Sequence, residues 1–119
     1  MAMIKGIGLD IIELTRIEKA MQRSEKFMLR ILTPREQMLF AKLSTARQVE
    51  FLAGRFAAKE AYAKANGTGI GKGCELQQIE ILKNKQGAPE LFFDAKRVKG
   101  FVTITHTQTV AAAQVVLME

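Results

Sequence analysis

STARQVEFLAGRFAAKEAYAKANG, residues Ser44 to Gly67, carries the punctuation of a long helix at both ends. Ser44 can cap the first turn, and Gly67 is the residue that most easily takes the left-handed conformation ending a helix. Between them Val49, Leu52, Ala53, Phe56 and Ala63 recur at helical spacing as an inward stripe. Glu60 falls on that stripe, four residues after Phe56 and three before Ala63, so its carboxylate points at the core. Lys64 continues the row, while Arg55 and Lys59 form the adjacent one.

Upstream, Thr33-Pro34-Arg35-Glu36 reads as a helix start, with Thr33 as N-cap, Pro34 at the first helical position and Glu36 completing a capping box. That helix is expected to reach Leu43. Met3 to Ile12 is short and apolar, and its glycines, Gly6 and Gly8, mark a buried strand that another backbone approaches closely. From Glu13 the pattern turns helical, and Arg16, Lys19 and Arg23 share one face as a basic stripe. Downstream, Gly67 to Gly73 is too rich in glycine for regular structure and reads as a loop. Strands then dominate. Gln78 to Leu82 and Leu91 to Phe93 flank a turn around Asn84 to Pro89, and Phe101 to His106 pairs with Val110 to Met118 as a hairpin. A short helix is expected over Asp94 to Lys99. Helices and strands segregate along the chain, which reads as an α+β fold with one long and several short helices on a small antiparallel sheet. The last strand, VAAAQVVLM, is apolar on both faces, so it is either central in the sheet or covered by a second subunit.

A length of 119 residues fits one domain, 1–119, with a core modest enough that sharing faces between copies would enlarge it. Its 18 Lys and Arg against 12 Asp and Glu give a formal charge of +6, which suits acidic partners, nucleic acid or phosphorylated ligands. A nucleic-acid module has only this charge and the basic stripe in its favour. With seven Phe, one Tyr and no Trp, mostly in apolar contexts, the chain lacks a stacking platform, so no nucleic acid is expected as partner. The lone Cys74 excludes an intramolecular disulfide and a cysteine-based metal site. No run of about 18 apolar residues and no signal-peptide core occurs, and the expectation is a cytoplasmic protein with no membrane partner.

Two readings fit Glu60 and Lys64: a structural ion pair one helical turn apart, or part of a metal and phosphate site. Asp10 favours the second, because it interrupts an apolar strand where an unpaired charge is costly to bury. As a residue at a strand end it also fits a turn or cap. Two carboxylates with a lysine nearby suit Mg²⁺, which takes one or two protein carboxylates and fills its shell with water and substrate phosphate. His106, the only histidine, shares a strand face with Val102 and Ile104 and is expected to point inward, as hydrogen-bonded core or as a phosphate contact. The glycine loop follows a helix instead of opening one and lacks the Ser or Thr of a P-loop, leaving a flexible connection or a loop whose amides approach a ligand. The basic stripe is either a solvated helix face or, with Phe27 and Met28 beside it, a docking surface for an acidic amphipathic helix.

Gly6-Ile7-Gly8-Leu9-Asp10-Ile11 and Phe51-Leu52-Ala53-Gly54-Arg55-Phe56-Ala57-Ala58-Lys59-Glu60-Ala61 resemble the two signatures of the holo-acyl-carrier-protein synthases, a small 4'-phosphopantetheinyl transferase family. The Gly67 to Gly73 loop, the Gly87-Ala88-Pro89 turn and Val102 to Thr107 also resemble family features, with threonine before His106 where many members use serine. The resemblance implies transfer of the phosphopantetheine arm of coenzyme A to a serine of an acidic apo-acyl carrier protein, releasing 3',5'-ADP, in fatty acid biosynthesis. It implies catalytic roles for Asp10, Glu60 and Lys64, with Asp10 and Glu60 holding Mg²⁺, Lys64 on phosphate, and Glu60, directly or through water, as the candidate base. Arg55, Lys64, Gly67, Thr68, Gly69 and His106 would bind coenzyme A, and Arg16, Arg23, Phe27 and Met28 would dock the carrier. A homotrimer is implied as well, with strands in its core and active sites between protomers.

Overall fold

The structure, a computed structural model, describes residues 3–119. Strand β1 (Ile4–Glu13) leads into helices α1 (Leu14–Arg23), α2 (Lys26–Ile31), α3 (Pro34–Ala41) and α4 (Thr45–Asn66). A 3-10 turn at Leu76–Gln78 then opens β2 (Ile79–Lys83), β3 (Pro89–Phe93), β4 (Lys96–Arg97), β5 (Gly100–His106) and β6 (Val110–Met118). The single small sheet expected is two antiparallel sheets of three strands, ordered β1-β6-β5 and β2-β3-β4.

Helix α4 starts after Ser44 and stops at Gly67, whose φ of 81° is left-handed. Ser44 holds the cap position without a side-chain hydrogen bond. The helix is buried almost all round, by sheet β1-β6-β5 on one side and by α2, α3 and β2 on others. Small residues make this possible. A Cβ on Gly8 would collide with the Ala61 carbonyl oxygen, and one on Gly6 with that of Ala65. Strand β1 therefore lies directly on the α4 backbone, the close approach its glycines announced, but it is an edge strand and not the buried one expected, with Ile7, Leu9 and Ile11 exposed on its other face.

The chain breaks at Ser24, in extended conformation, and α2 is a short helix that the sequence pattern did not separate from α1. The Thr33–Glu36 capping box forms with both halves present, and α3 ends at Ala41, short of Leu43. The helix expected over Asp94 to Lys99 is absent. Phe93 pairs with Lys96, so the two residues between them must close a two-residue hairpin. Such turns match strand twist with left-handed central residues, and Asp94 and Ala95 have φ of 50° and 66°.

Strand β6 is central, as its composition allowed. Its alternate residues Ala111, Ala113, Val115 and Leu117 are buried toward α4. The opposite face stays open. There the pairing aligns Ile7, Val116 and Phe101 in one row and Leu9, Gln114 and Thr103 in the next.

Candidate active site

The β1–α4 crossing gathers the carboxylates. Asp10 lies on the strand face that carries Gly6 and Gly8 toward α4, and Glu60 sits one residue before Ala61, against which Gly8 packs. Burial raises the Glu60 carboxyl above its ordinary 4.5, the charge of Asp10 raises it further, and Lys64 opposes both. Lys64 Nζ donates to Asp10 Oδ1 at 3.1 Å and to the Leu9 carbonyl at 3.0 Å. The ion pair thus forms across elements, with Asp10 and not with Glu60. The Lys64 side chain is half exposed, so a ligand can reach it.

Among the described residues no group of three or more His, Cys, Asp or Glu converges, so the donor set is the carboxylate pair. Two hard oxygen donors that repel each other, one of them with raised proton affinity, fit Mg²⁺, which leaves its remaining positions to water and phosphate.

The loop after α4 is anchored on the helix end. The Gly67 amide donates to the Lys64 carbonyl, and those of Thr68 and Gly69 to Ala63. Gly71 and Cys74 exchange a pair of backbone bonds. The amides of Gly67, Thr68 and Gly69 are committed within the chain, so this segment does not form a free amide cradle.

Arg55 and His106 stand elsewhere. Residues 55 and 60 are roughly 140° apart around α4 at about 100° per residue, and β1 and β5 are the two outer strands of their sheet. One protomer therefore does not bring Arg55 and His106 to the carboxylates. Arg55 is 6% exposed, its guanidinium carbon 4.2 Å from the Phe51 ring centroid. Its Nε lies 3.9 Å from Glu36 Oε2, and its Nε and Nη2 have no hydrogen-bond partner. Burial lowers its pKa, with Glu36 opposing. A buried, under-satisfied cation of this kind calls for an anion. It faces a cavity of about 360 Å³ also lined by Arg47, Glu50, Lys83, Pro89 and His106. His106 was expected to point inward. It does share the face of Val102, but at the strand end it stays 46% exposed, with Nδ1 3.7 Å from Glu50 Oε2.

Arg16 and Arg23 are exposed and Phe27 and Met28 half-buried. Arg16 and Phe27 line a cleft of about 90 Å³ with Ile12, Ile17 and Phe56, while Arg23, Lys26 and Arg30 rim a neighbouring one of about 250 Å³. Apolar contact and positive charge therefore adjoin.

Sequence reasoning set Lys59 beside Arg55 without seeing its burial. Lys59 is 0% exposed and paired with Glu36 at 2.7 Å. Burial lowers its pKa against the opposing pull of Glu36. The available signal was its spacing, seven residues after Leu52 and three before Tyr62, both buried. Glu50, Arg47 and Lys83 were also missed, because nothing local distinguishes them from solvated surface charges.

The family model for the 4'-phosphopantetheinyl transferase superfamily matches residues 6–116. A holo-[acyl-carrier-protein] synthase of Enterococcus faecalis is 57% identical over 115 residues, 97% of each chain. The crystal structure of a holo-(acyl-carrier-protein) synthase from Bacillus anthracis in complex with CoA (3',5'-ADP) is 49% identical, covers 98% of both chains and superposes with a TM-score of 0.87. A Helicobacter pylori holo-[acyl-carrier-protein] synthase in complex with coenzyme A is 32% identical, with a TM-score of 0.81 over 95% of this chain and 99% of that one. With its signature glycines, carboxylates and lysine assembled at one strand–helix crossing, this chain belongs to the 4'-phosphopantetheinyl transferase superfamily.

Proposed function

We propose that this protein is a holo-acyl-carrier-protein synthase, transferring 4'-phosphopantetheine from coenzyme A to a serine of apo-acyl carrier protein and releasing 3',5'-ADP, for fatty acid biosynthesis. The observation that carries the reading is the convergence of Asp10, Glu60 and Lys64 where Gly6 and Gly8 let β1 touch α4. The named relatives agree with it.

Asp10 and Glu60 would hold Mg²⁺, which supplies charge neutralisation on the pyrophosphate when bound. Lys64 adds a positive charge on the same phosphates as the carrier serine attacks the phosphorus in line with the departing 3',5'-ADP. Glu60, with its proton affinity raised by burial, is suited to accept the serine proton, directly or through a water. The Gly67–Gly69 segment borders the same helix end and contacts coenzyme A there.

Arg55 and His106 bind the nucleotide phosphates in the cavity they line. Since these residues and the carboxylates stand apart in one protomer, coenzyme A spans two copies, and the working form is a homotrimer with sites between protomers. The open apolar sheet face supports this, with Ile7, Leu9, Ile11 and Phe101 each 56% exposed or more. Residues 1–119 act as one domain, a reading that the hydrophobic cluster shared by both sheets supports. The carrier docks its acidic helix on Arg16 and Arg23, with Phe27 and Met28 as apolar anchors. A cytoplasmic location fits the free Cys74, and among the described residues no helix is long and apolar enough to cross a membrane.

The test is incubation with coenzyme A, Mg²⁺ and apo-acyl carrier protein, followed by mass spectrometry of the carrier. One added phosphopantetheinyl group is expected, and an unmodified carrier refutes the reading.

A further inference from the structure

The polar core beside α4 does something that none of the groups assigned to chemistry explains. Lys59, fully buried, donates to Glu36, to the Ile31 carbonyl and to the Leu76 carbonyl. Ile31 ends α2, the helix that carries Phe27 and Met28. Leu76 opens the 3-10 turn that closes the glycine loop. A second strap joins the same two segments: Gln77 Nε2, from an exposed residue, donates to the Leu29 carbonyl at 2.7 Å and the Leu32 carbonyl at 2.6 Å.

The loop is thereby fastened to α4 at both ends. Its start is held by the Ala63 and Lys64 carbonyls and its finish by the Lys59 ammonium, so the two anchor points straddle Glu60. Burying an ammonium is unfavourable where a hydrocarbon of similar volume would pack as well, so packing alone does not account for Lys59. A three-acceptor hub adds registry, because it fixes the end of α2 and the end of the loop at one point on α4.

We infer that Lys59 and Gln77 are positioning residues that hold the carrier-docking helix and the coenzyme A loop in fixed register with the Asp10–Glu60 pair, without touching either substrate. The inference rests on the transferase reading above. Loss of either strap lets both segments drift from the carboxylates, so binding of both substrates weakens together while the bound complex reacts at its usual rate.

Initial-rate kinetics on Gln77→Ala and Gln77→Glu tests it, because the side chain is exposed and Gln77→Glu keeps the shape while losing the donor. Both variants are expected to raise the KM for coenzyme A and the KM for apo-carrier roughly five- to tenfold, as the positioned arrangement becomes a minor population, with kcat within about twofold and melting that stays cooperative at a modestly lower temperature. Lys59→Met combined with Glu36→Gln, assayed wherever it melts cooperatively, is expected to move the same two constants in the same direction. A rise in only one KM, in neither, or a fall in kcat alone in the Gln77 variants overturns the inference. Wild-type protein in the same assay separates the two claims: failure of the wild type to modify the carrier overturns the transferase reading and this inference with it.

Discussion

Glu60 and Glu80 are carboxylates pushed in opposite directions, and the difference is measurable. Burial and Asp10 raise the Glu60 pKa, so whatever stability this group contributes is fully present below the ordinary glutamate range and lost as pH rises through its folded-state value. At neutral pH, in the presence of a chelator, Glu60→Gln is therefore expected to raise the melting temperature, with the gain vanishing in acid. The same variant, and Asp10→Asn, should lower transfer by roughly a hundredfold or more with the fold intact, the scale of a lost electrostatic stabiliser. Mg²⁺ is expected to raise the melting temperature of wild type but not of Glu60→Gln, which differential scanning fluorimetry reads directly. For Glu80, burial raises the pKa, but hydrogen bonds from Arg35 and Thr33 and the charges of Arg35 and Lys59 outweigh it and hold the carboxyl low. Its contribution is present above the ordinary glutamate range and lost as pH falls through the folded-state value. Glu80→Gln should cost about 1–3 kcal/mol at neutral pH, and its melting curve should converge on that of wild type in acid.

Two places at the scale of the element set how the segments meet. Gly8→Ala inserts a methyl into the Ala61 carbonyl, so β1 must lift from α4 and carry Asp10 away from Glu60. A loss of about 1–3 kcal/mol is expected, together with a loss of Mg²⁺-dependent stabilisation, both visible in denaturant melts. At the β3–β4 turn, Ala95 holds a φ of 66° at roughly 1–2 kcal/mol of strain for a residue with a side chain. Ala95→Gly relieves that strain but frees the unfolded chain by about 0.4–1 kcal/mol. A small net stabilisation with unchanged activity is the expected outcome in urea unfolding.

For the whole molecule, the separation of the Arg55–His106 cavity from the carboxylate pair is decisive. If coenzyme A spans two copies, inactive Glu60→Gln protein and inactive His106→Ala protein, unfolded together and refolded as a mixture, should regain about a quarter of wild-type activity, since each neighbouring pair draws one intact half from each parent by chance. Separate refolding should restore none. Leu9→Glu, placed on the open sheet face, should yield a monomer by light scattering and abolish transfer while β1 stays paired with β6.

Local sequence determined what depends on neighbours within a turn: α4 with its left-handed stop at Gly67, the capping box at Thr33–Glu36 and the β5–β6 hairpin, whereas Glu60, read as pointing at the core, is only half-buried and the core position falls to Lys59. The two signatures also made Asp10, Glu60 and Lys64 legible as a set, because Gly6 and Gly8 have no use in a strand unless another backbone comes close. Tertiary structure decided what depends on partners far along the chain. Lys64 turns to Asp10 because β1 crosses α4 there, and Lys59 disappears into the core because Glu36 and two carbonyls from other segments meet it. The turn at Asp94–Ala95 follows from the pairing of Phe93 with Lys96, which outweighs any helical leaning of so short a segment. A charge seen in sequence reads the same whether it is solvated or buried, since burial is a property of what packs against it.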